Sequence, residues 1–137
     1  MLFRSRIWFL PILLIYPSLG FINFWYLREA GAAIPPPTFS LAGFLGYCTV
    51  FFMTFGEELG LSGYAIDPML ERYSALETGL RLGLVWAGYH IPGFIISGYY
   101  PTGWILWHAL YLVTTRVLFV WIYNNAGKSL FSMALCH

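Results

Sequence analysis

The chain contains a predominantly apolar run over residues 7–27, which is 21 residues long and carries no charged residue. At ~1.5 Å per residue, a helix of that length crosses the ~30 Å hydrocarbon layer of a bilayer. The sequence is 59% hydrophobic and 9% charged, whereas soluble domains carry about 25% charged residues. These features predict an integral membrane protein. A cleaved signal peptide is the competing interpretation of the first run, which is longer and more aromatic than the apolar region of such a peptide.

Three further apolar segments are long enough to be spans, namely residues 39–63, 79–97 and 104–123. Apolar residues at helical spacing predict a short interfacial helix within residues 64–78. A last apolar helix begins at Ser129, but residues 129–137 reach only ~13 Å. We therefore predict an all-α, polytopic transmembrane bundle of four full spans plus a partial C-terminal helix. Residues 1–38 form the first span and an outer loop, and residues 39–137 form the core.

Positive charges near the ends of the predicted spans indicate the orientation. With a cytosolic N-terminus, Arg28 lies outside and five cations lie inside, namely Arg4, Arg6, Arg72, Arg81 and Lys128. The opposite orientation reverses this count, so we predict a cytosolic N-terminus. The net charge of +1 and the scatter of the cations argue against a nucleic-acid partner. The partner expected from the composition is the lipid bilayer.

Glycines recur in the second and third predicted spans. Gly56, Gly60 and Gly63 surround a pair of glutamates, and Gly79 and Gly83 lie four residues apart. Small residues allow transmembrane helices to approach one another closely. We therefore expect close helix packing at both sets of glycines.

Five ionisable residues on four predicted helices lie at similar depths. Measured from the cytosolic end of each span, the depths are roughly 8–16 Å at ~1.5 Å per residue. The residues are Glu57, Glu58, His90, Arg116 and His137. Ionisable groups in hydrocarbon are costly and usually functional. Their convergence predicts a polar cavity within the bundle, open to the cytosol.

Two glutamates and two histidines in a partly dry cavity suit the hydrolysis of a carbonyl compound. A buried carboxylate can act as a general base near neutral pH, and a histidine can share its proton or stabilise an oxyanion. Alternatively, Glu57, His90 and His137 could hold a divalent metal such as zinc, which would activate the water instead. The sequence contains no HExxH, no cysteine cluster and no GxSxG, so the usual signatures of soluble hydrolases are absent.

Three segments together resemble the motifs of the CPBP intramembrane proteases, a family that includes CAAX prenyl endopeptidases and bacteriocin-related Abi proteins. Residues 57–64, EELGLSGY, resemble the family's EExxxRG motif. Residues 84–94 look like the second motif, in which an aromatic residue, here Trp86, lies four positions before a histidine, here His90. Residues 123–137 resemble the third block, which is a turn, then Gly-x-Ser, then a helix bearing a histidine, here His137. The resemblance covers residues 44–137.

The resemblance implies an endopeptidase that cleaves a membrane-associated peptide or protein in a bacterial inner or plasma membrane. It implies that Glu57 is the general base that activates water and that His90 assists it. It also implies that His137 belongs to the oxyanion site and that Glu58 is the structural partner of the motif arginine. Trp86, the aromatic residue of the second motif, is expected to support the site.

Two positions depart from the family pattern. Ser62 replaces the motif arginine four residues after Glu58, and Arg116 is our candidate for the missing cation because its depth is compatible. The family also places Asn or Asp four residues after its last histidine, whereas nothing follows His137 here. The alternative function is therefore a non-catalytic or truncated family member that acts as a membrane immunity or scaffold protein. A small transporter component is a third interpretation.

Overall fold

The computed structural model describes residues 7–137, and that part of the chain contains helices and turns but no strand. The helices are α1 (Phe9–Glu29), α2 (Leu41–Glu58), α3 (Ile66–Leu70), α4 (Ala75–Ser97), α5 (Thr102–Asn125) and α6 (Leu130–Cys136). A π-helical segment, Leu59–Ala65, joins α2 to α3. The all-α prediction is confirmed. Arg4 and Arg6, which entered the orientation argument, lie outside the described residues.

Serine side chains cap the first turns of three helices. Ser40 and Ser129 each accept a hydrogen bond from an amide three residues on, at 3.0 Å and 3.3 Å. At the start of α4, the amide of Glu77 donates to Ser74 and the amide of Ser74 donates to Glu77. Such caps satisfy amides that have no partner inside the helix. The reciprocal pair explains why this helix begins at residue 75 and not at residue 79 as predicted.

The second long helix does not end at residue 63. The backbone stays helical from Leu41 to Leu70, because the π-helical segment leads directly into α3. A π-helical turn bonds residue i to residue i+5 and is therefore wider than an α-helical turn. A short helix, α3, lies within residues 64–78 as predicted, but it directly continues the second helix and ends at Leu70, and Leu76 belongs to α4.

Two helices within residues 7–137, α1 and α5, are long and apolar enough to cross a membrane. α2 and α4 do not meet the same requirement of length and apolar composition. The structure therefore supports two candidate spans and not the predicted four. Only 6% of the most apolar stretch of α1 is buried, and 33% of that of α5. Neither helix is therefore the mostly buried core helix of a soluble domain. α1 lies near the N-terminus, where a signal sequence has the same length and composition.

α4 and α5 are in backbone contact through two glycines of α4. A Cβ atom added at Gly79 would lie 2.7 Å from Cα of Val117. One added at Gly83 would lie 2.8 Å from Cα of Val113. The predicted close packing at these two glycines is present, and no larger side chain fits there without moving α5.

The glycines around the glutamate pair behave differently from one another. A Cβ atom added at Gly56 or Gly60 would meet nothing within 4 Å, so the prediction of close helix packing there is wrong. One added at Gly63 would lie 3.1 Å from a methyl carbon of Leu130. Only Gly63 therefore marks a close approach, and its neighbour is the start of α6.

The main buried cluster forms around α6. Its fully or nearly fully buried members include Ile66, Phe119, Val120, Tyr123, Met133 and Cys136. α6 packs against α1, α2, α5 and the π-helical segment. This short helix is thus central to the fold, and it places the residue that follows it, His137, against the end of α2.

Candidate active site

Glu58, the last residue of α2, is fully buried and lies at the centre of a polar cluster. Nη1 of Arg116 donates to both of its carboxylate oxygens, at 2.9 Å each. Nδ1 of His137 lies 2.8 Å from Oε1, and the hydroxyl of Ser62 donates to Oε2. A buried carboxylate is costly unless it is paired and hydrogen-bonded. These four bonds use the roughly four lone-pair positions of a carboxylate, so Glu58 is fully engaged.

The ion pair that the sequence predicted between Arg116 and Glu58 is present. Neither side chain has any solvent exposure, so Arg116 does not extend toward a membrane surface. Ser62, at the position of the family's arginine, contributes a hydroxyl from one turn further along the same helix. The positive charge beside Glu58 therefore comes from α5. The hydroxyl of a serine is uncharged and cannot neutralise a carboxylate, but it donates a hydrogen bond to it.

Trp86, on α4, contacts the cluster with both its ring and its N–H group. Cζ of Arg116 lies 4.2 Å from the ring centroid, which is a cation–π contact. The ring of His137 meets Trp86 edge-to-face at 5.1 Å between centroids. The Nε1 group donates a hydrogen bond to Oε1 of Glu57. Trp86 thus covers the guanidinium on one side and holds the second glutamate on the other.

Glu57 adjoins Glu58 in sequence but lies in a different environment. Its side chain is 23% exposed, and its Oε2 atom lies 3.5 Å from Nε2 of His137. That separation exceeds the ~2.9 Å of an ordinary hydrogen bond. Among residues 7–137, the one hydrogen bond to this carboxylate comes from Trp86. Glu57 therefore keeps free lone pairs and an open side, whereas Glu58 has neither.

His137 lies between the two carboxylates. An ionised carboxylate can only accept, so Nδ1 donates to Glu58. Nε2 then faces Glu57. Two carboxylates against the single guanidinium of Arg116 leave one formal negative charge in the cluster, unless a proton is added. His137 is the group that is placed to share such a proton with Glu57.

His90 lies beside this cluster and not within it. Its Nδ1 atom is 2.9 Å from the carbonyl oxygen of Trp86, one turn earlier on α4. A carbonyl oxygen only accepts, so Nδ1 carries the proton, and Nε2 is the acceptor in the neutral ring. Across residues 7–137, no hydrogen bond joins His90 to either glutamate. If His90 assists Glu57, it does so across a water molecule or a substrate.

The metal site that the sequence left open does not fit the arrangement. No three His, Cys, Asp or Glu side chains in the described part of the chain are placed to hold one metal ion. Glu57 and His137 approach each other, but both ring nitrogens of His137 face carboxylates. A zinc ion on Glu57, His90 and His137 would need a contact of His137 to break, whereas His90 could bind through Nε2 while Nδ1 keeps its backbone partner.

Within residues 7–137, the side chains expected to line a polar cavity form a packed cluster instead. Glu58, Ser62 and Arg116 are sealed from solvent, while Glu57 and His90 lie at the edge. A groove of about 500 Å³ runs along the outside of α4 and α5 and is lined by Ala75, Leu76, Thr114, Val117, Leu118 and Trp121. That groove contains none of the cluster residues.

Two contributions to the cluster were missed from the sequence. Phe119 lies one turn after Arg116 on α5, with its ring 5.1 Å from Cζ of Arg116 and 6.1 Å from the ring of His137. The i, i+3 spacing from Arg116 was the available signal. From the sequence, Ser62 was interpreted only as a missing arginine. Its position four residues after Glu58 also allows its hydroxyl to donate a hydrogen bond to that carboxylate.

Comparisons of the chain with protein-family models, with curated proteins and with solved structures found no significant match.

Proposed function

We propose that this chain is an intramembrane endopeptidase of the CPBP type, in which Glu57 activates a water molecule for attack on a peptide carbonyl. The observation that carries the proposal is the unequal environment of two adjacent carboxylates. Glu58 is buried, paired with Arg116 and fully hydrogen-bonded. Glu57 is partly open and holds one short hydrogen bond. One carboxylate thus builds the site and the other is free to take a proton.

The proposed reaction begins at the open side of Glu57. The carboxylate accepts a proton from water while the water oxygen forms a bond to the carbonyl carbon of the substrate. Trp86 holds Oε1 of Glu57 through its N–H group, which fixes the direction of the remaining lone pairs. The proton on Glu57 then passes to the amine that leaves. Positioned general bases contribute about 10²–10⁴-fold to such reactions.

The two histidines take the supporting parts in this proposal. His137, fixed through Nδ1 to Glu58, can donate from Nε2 to the developing oxyanion when its ring carries both protons. His90 presents Nε2 as an acceptor because Nδ1 is bonded to the Trp86 carbonyl. An acceptor beside the edge of the cluster can orient the attacking water.

The proposal includes a location in a membrane, with the N-terminus in the cytosol and a bacterial plasma membrane as the compartment. The long apolar helices α1 and α5, which are mostly unburied, support the membrane location. Arg72 and Lys128 lie in turns and Arg81 lies in the second turn of α4, all on the side proposed to be cytosolic. The substrate in this proposal is a membrane-associated peptide or protein segment, because the cluster lies between apolar helices.

The test compares protein termini in membranes that contain the wild-type chain or its Glu57→Gln variant. Glutamine preserves the acceptor oxygen for Trp86 but cannot act as the base. The matched control is Glu71→Gln, which makes the same chemical change at an exposed glutamate. We expect new peptide termini with the wild type and with Glu71→Gln, and none with Glu57→Gln. Identical termini from wild type and Glu57→Gln would rule out the proposed base.

One observation favours the second candidate, a non-catalytic membrane immunity or scaffold protein. The groups around Glu58 are packed and sealed, which suits a structural cluster as well as a catalytic one. This candidate would be supported if folded wild-type protein produces no new termini. It would also have to bind a membrane partner as well as the Glu57→Gln variant does.

A further inference from the structure

A second polar contact joins the same two parts of the chain that meet at Glu58. Nζ of Lys128 lies 2.8 Å from Oδ1 of Asp67. Asp67 belongs to α3, and Lys128 lies in the turn just before α6. Both side chains are about half exposed, at 55% for Lys128 and 43% for Asp67. This contact is therefore at the surface, whereas the contact between Glu58 and His137 is buried.

The two contacts are in register with each other. Asp67 lies nine residues after Glu58, and Lys128 lies nine residues before His137. The helix from Leu41 to Leu70 and the segment 128–137 therefore run in opposite directions, with a polar contact at each end. Between these contacts, Gly63 and Leu130 are in close approach. A slip of α6 by one turn, ~5.4 Å, would break both polar contacts.

The backbone at Lys128 also indicates that this position is held in place. Lys128 has φ 61°, and it is the one non-glycine residue with positive φ among residues 7–137. Gly127, which precedes it, has φ 71°. Left-handed backbone is uncommon for a lysine, because it brings the Cβ atom too close to the following carbonyl oxygen. A glycine would suit this turn better, so the side chain of Lys128 supplies something that glycine lacks.

We propose that the ion pair between Asp67 and Lys128 is a positioning contact that sets the register of α6 and thereby places His137 against Glu58 and Glu57. The proposal deepens the function proposed above and rests on it for the catalytic role of His137. Hydrogen bonding to Asp67 raises the pKa of Lys128 above its usual value, so the amine stays charged. An exposed pair contributes little to stability, so the expected effect is on position and not on folding.

The test follows the ring nitrogens of the three histidines by NMR in protein that carries isotope-labelled histidine. His90 and His108 are internal controls, because His90 is bonded within α4 and His108 stacks on Trp104 within α5. We expect Asp67→Asn and Lys128→Gly to shift the His137 signals and to leave the other two unchanged. Lys128→Gly retains the positive φ without strain, so it separates the ion pair from the turn.

A charge exchange provides the rescue. Asp67→Lys combined with Lys128→Asp restores an ion pair, and aspartate tolerates left-handed backbone better than most residues. We expect the double variant to return the His137 signals toward their wild-type positions. Where cleavage can be measured, the single variants should lower kcat by about tenfold to a hundredfold with little change in KM, because small displacements of catalytic groups have effects of this order.

Two results would overturn the proposal. The first is an unchanged His137 signal in Asp67→Asn and Lys128→Gly, which would reduce the ion pair to a surface contact. The second is a shift of all three histidines in every variant, which would show a general structural role. The NMR readout does not depend on proteolysis. Shifts confined to His137 in a protein that cleaves nothing would retain the positioning contact and reject the proposed function instead.

Discussion

Arg116 on α5 donates to both carboxylate oxygens of Glu58 on α2, and neither side chain has any contact with solvent. The pair joins residues 58 positions apart in the sequence. In the EExxxRG motif that residues 57–64 resemble, the cation lies on the same helix as the glutamates. Here Arg116 supplies the cation from another helix. The stability of the whole cluster should therefore depend on this pair.

Removing the cation alone should be costly. We expect Arg116→Met to lower the free energy of unfolding by about 3–5 kcal/mol, because it leaves Glu58 buried without its charge partner. Combining it with Glu58→Gln should recover much of that loss, since no unpaired charge remains. Denaturation in detergent would measure the double-mutant cycle, with the exposed Arg72→Met as a control. An Arg116→Met variant as stable as the wild type would contradict the role of the pair.

Restoring the motif arginine should help only when Arg116 is absent. In an otherwise wild-type chain, Ser62→Arg places a second cation and a large side chain in a sealed site, and overpacking alone costs about 1–3 kcal/mol. In the Arg116→Met chain the new arginine lies at i+4 from Glu58 and can pair with it. We expect the double variant to be more stable than Arg116→Met. Equal stability would show that the two positions cannot exchange the charge.

The glycine contact between α4 and α5 should be sensitive to one methyl group. Gly83→Ala places Cβ 2.8 Å from Cα of Val113 and 3.3 Å from Cβ of Arg116. We expect a loss of about 1–3 kcal/mol from the forced separation of the helices. Gly88→Ala is the matched control, because a Cβ atom there meets nothing within 4 Å. It should be neutral or stabilise α4 by up to ~1 kcal/mol.

The indole N–H of Trp86 should contribute to the stability of the cluster. Trp86→Phe keeps an aromatic face for Arg116 but removes the donor to Glu57. Hydrogen bonds to charged groups contribute about 1.5–3 kcal/mol, and the partial exposure of Glu57 places the expected loss at the lower end. Trp107→Phe makes the same change at a side chain that is 73% exposed and should have little effect. If both variants lose the same stability, the hydrogen bond is not responsible.

Cleavage by the proposed mechanism should not require a metal ion. Within residues 7–137 no three potential ligands are placed to hold one, and the proposed base acts directly on water. We expect activity to survive treatment with a chelator followed by removal of the complex. Loss of activity that returns with zinc would require Glu57, His90 and His137 to rearrange into a site of the kind that the sequence first suggested.

Two kinds of feature could be predicted from the sequence. The first depends on residues close together in the chain, and the second depends on the high cost of burying a charge. The start of the last helix at Ser129 followed from its apolar pattern, and the meeting of Glu58 with Arg116 followed from their matching depth. Close packing at Gly79 and Gly83 followed from their spacing. Each of these depends on a property that a residue carries in any context.

The failures involve properties that depend on neighbours in space. The π-helical segment was not predicted, because its residues carry no signal that distinguishes wide turns from α-helical ones. Gly56 and Gly60 were expected to pack closely, but nothing faces them. His90 was expected to join the cluster, but its Nδ1 atom bonds to its own helix. The predicted cavity assumed empty space that Trp86 and Phe119 fill.

The π-helical segment has a consequence for which side of the helix each acidic residue occupies. In an uninterrupted α-helix each residue turns by about 100°, so residues nine apart point about 180° away from each other. Glu58 and Asp67 would then face opposite directions and could not both reach segment 128–137. The wide turn of Leu59–Ala65 advances less per residue and brings Asp67 back toward the face of Glu58. Converting this segment to an α-helix of unchanged length would turn Asp67 away from Lys128, whereas deleting one residue there, such as Gly60, would leave the two acidic residues eight apart and only about 80° from each other.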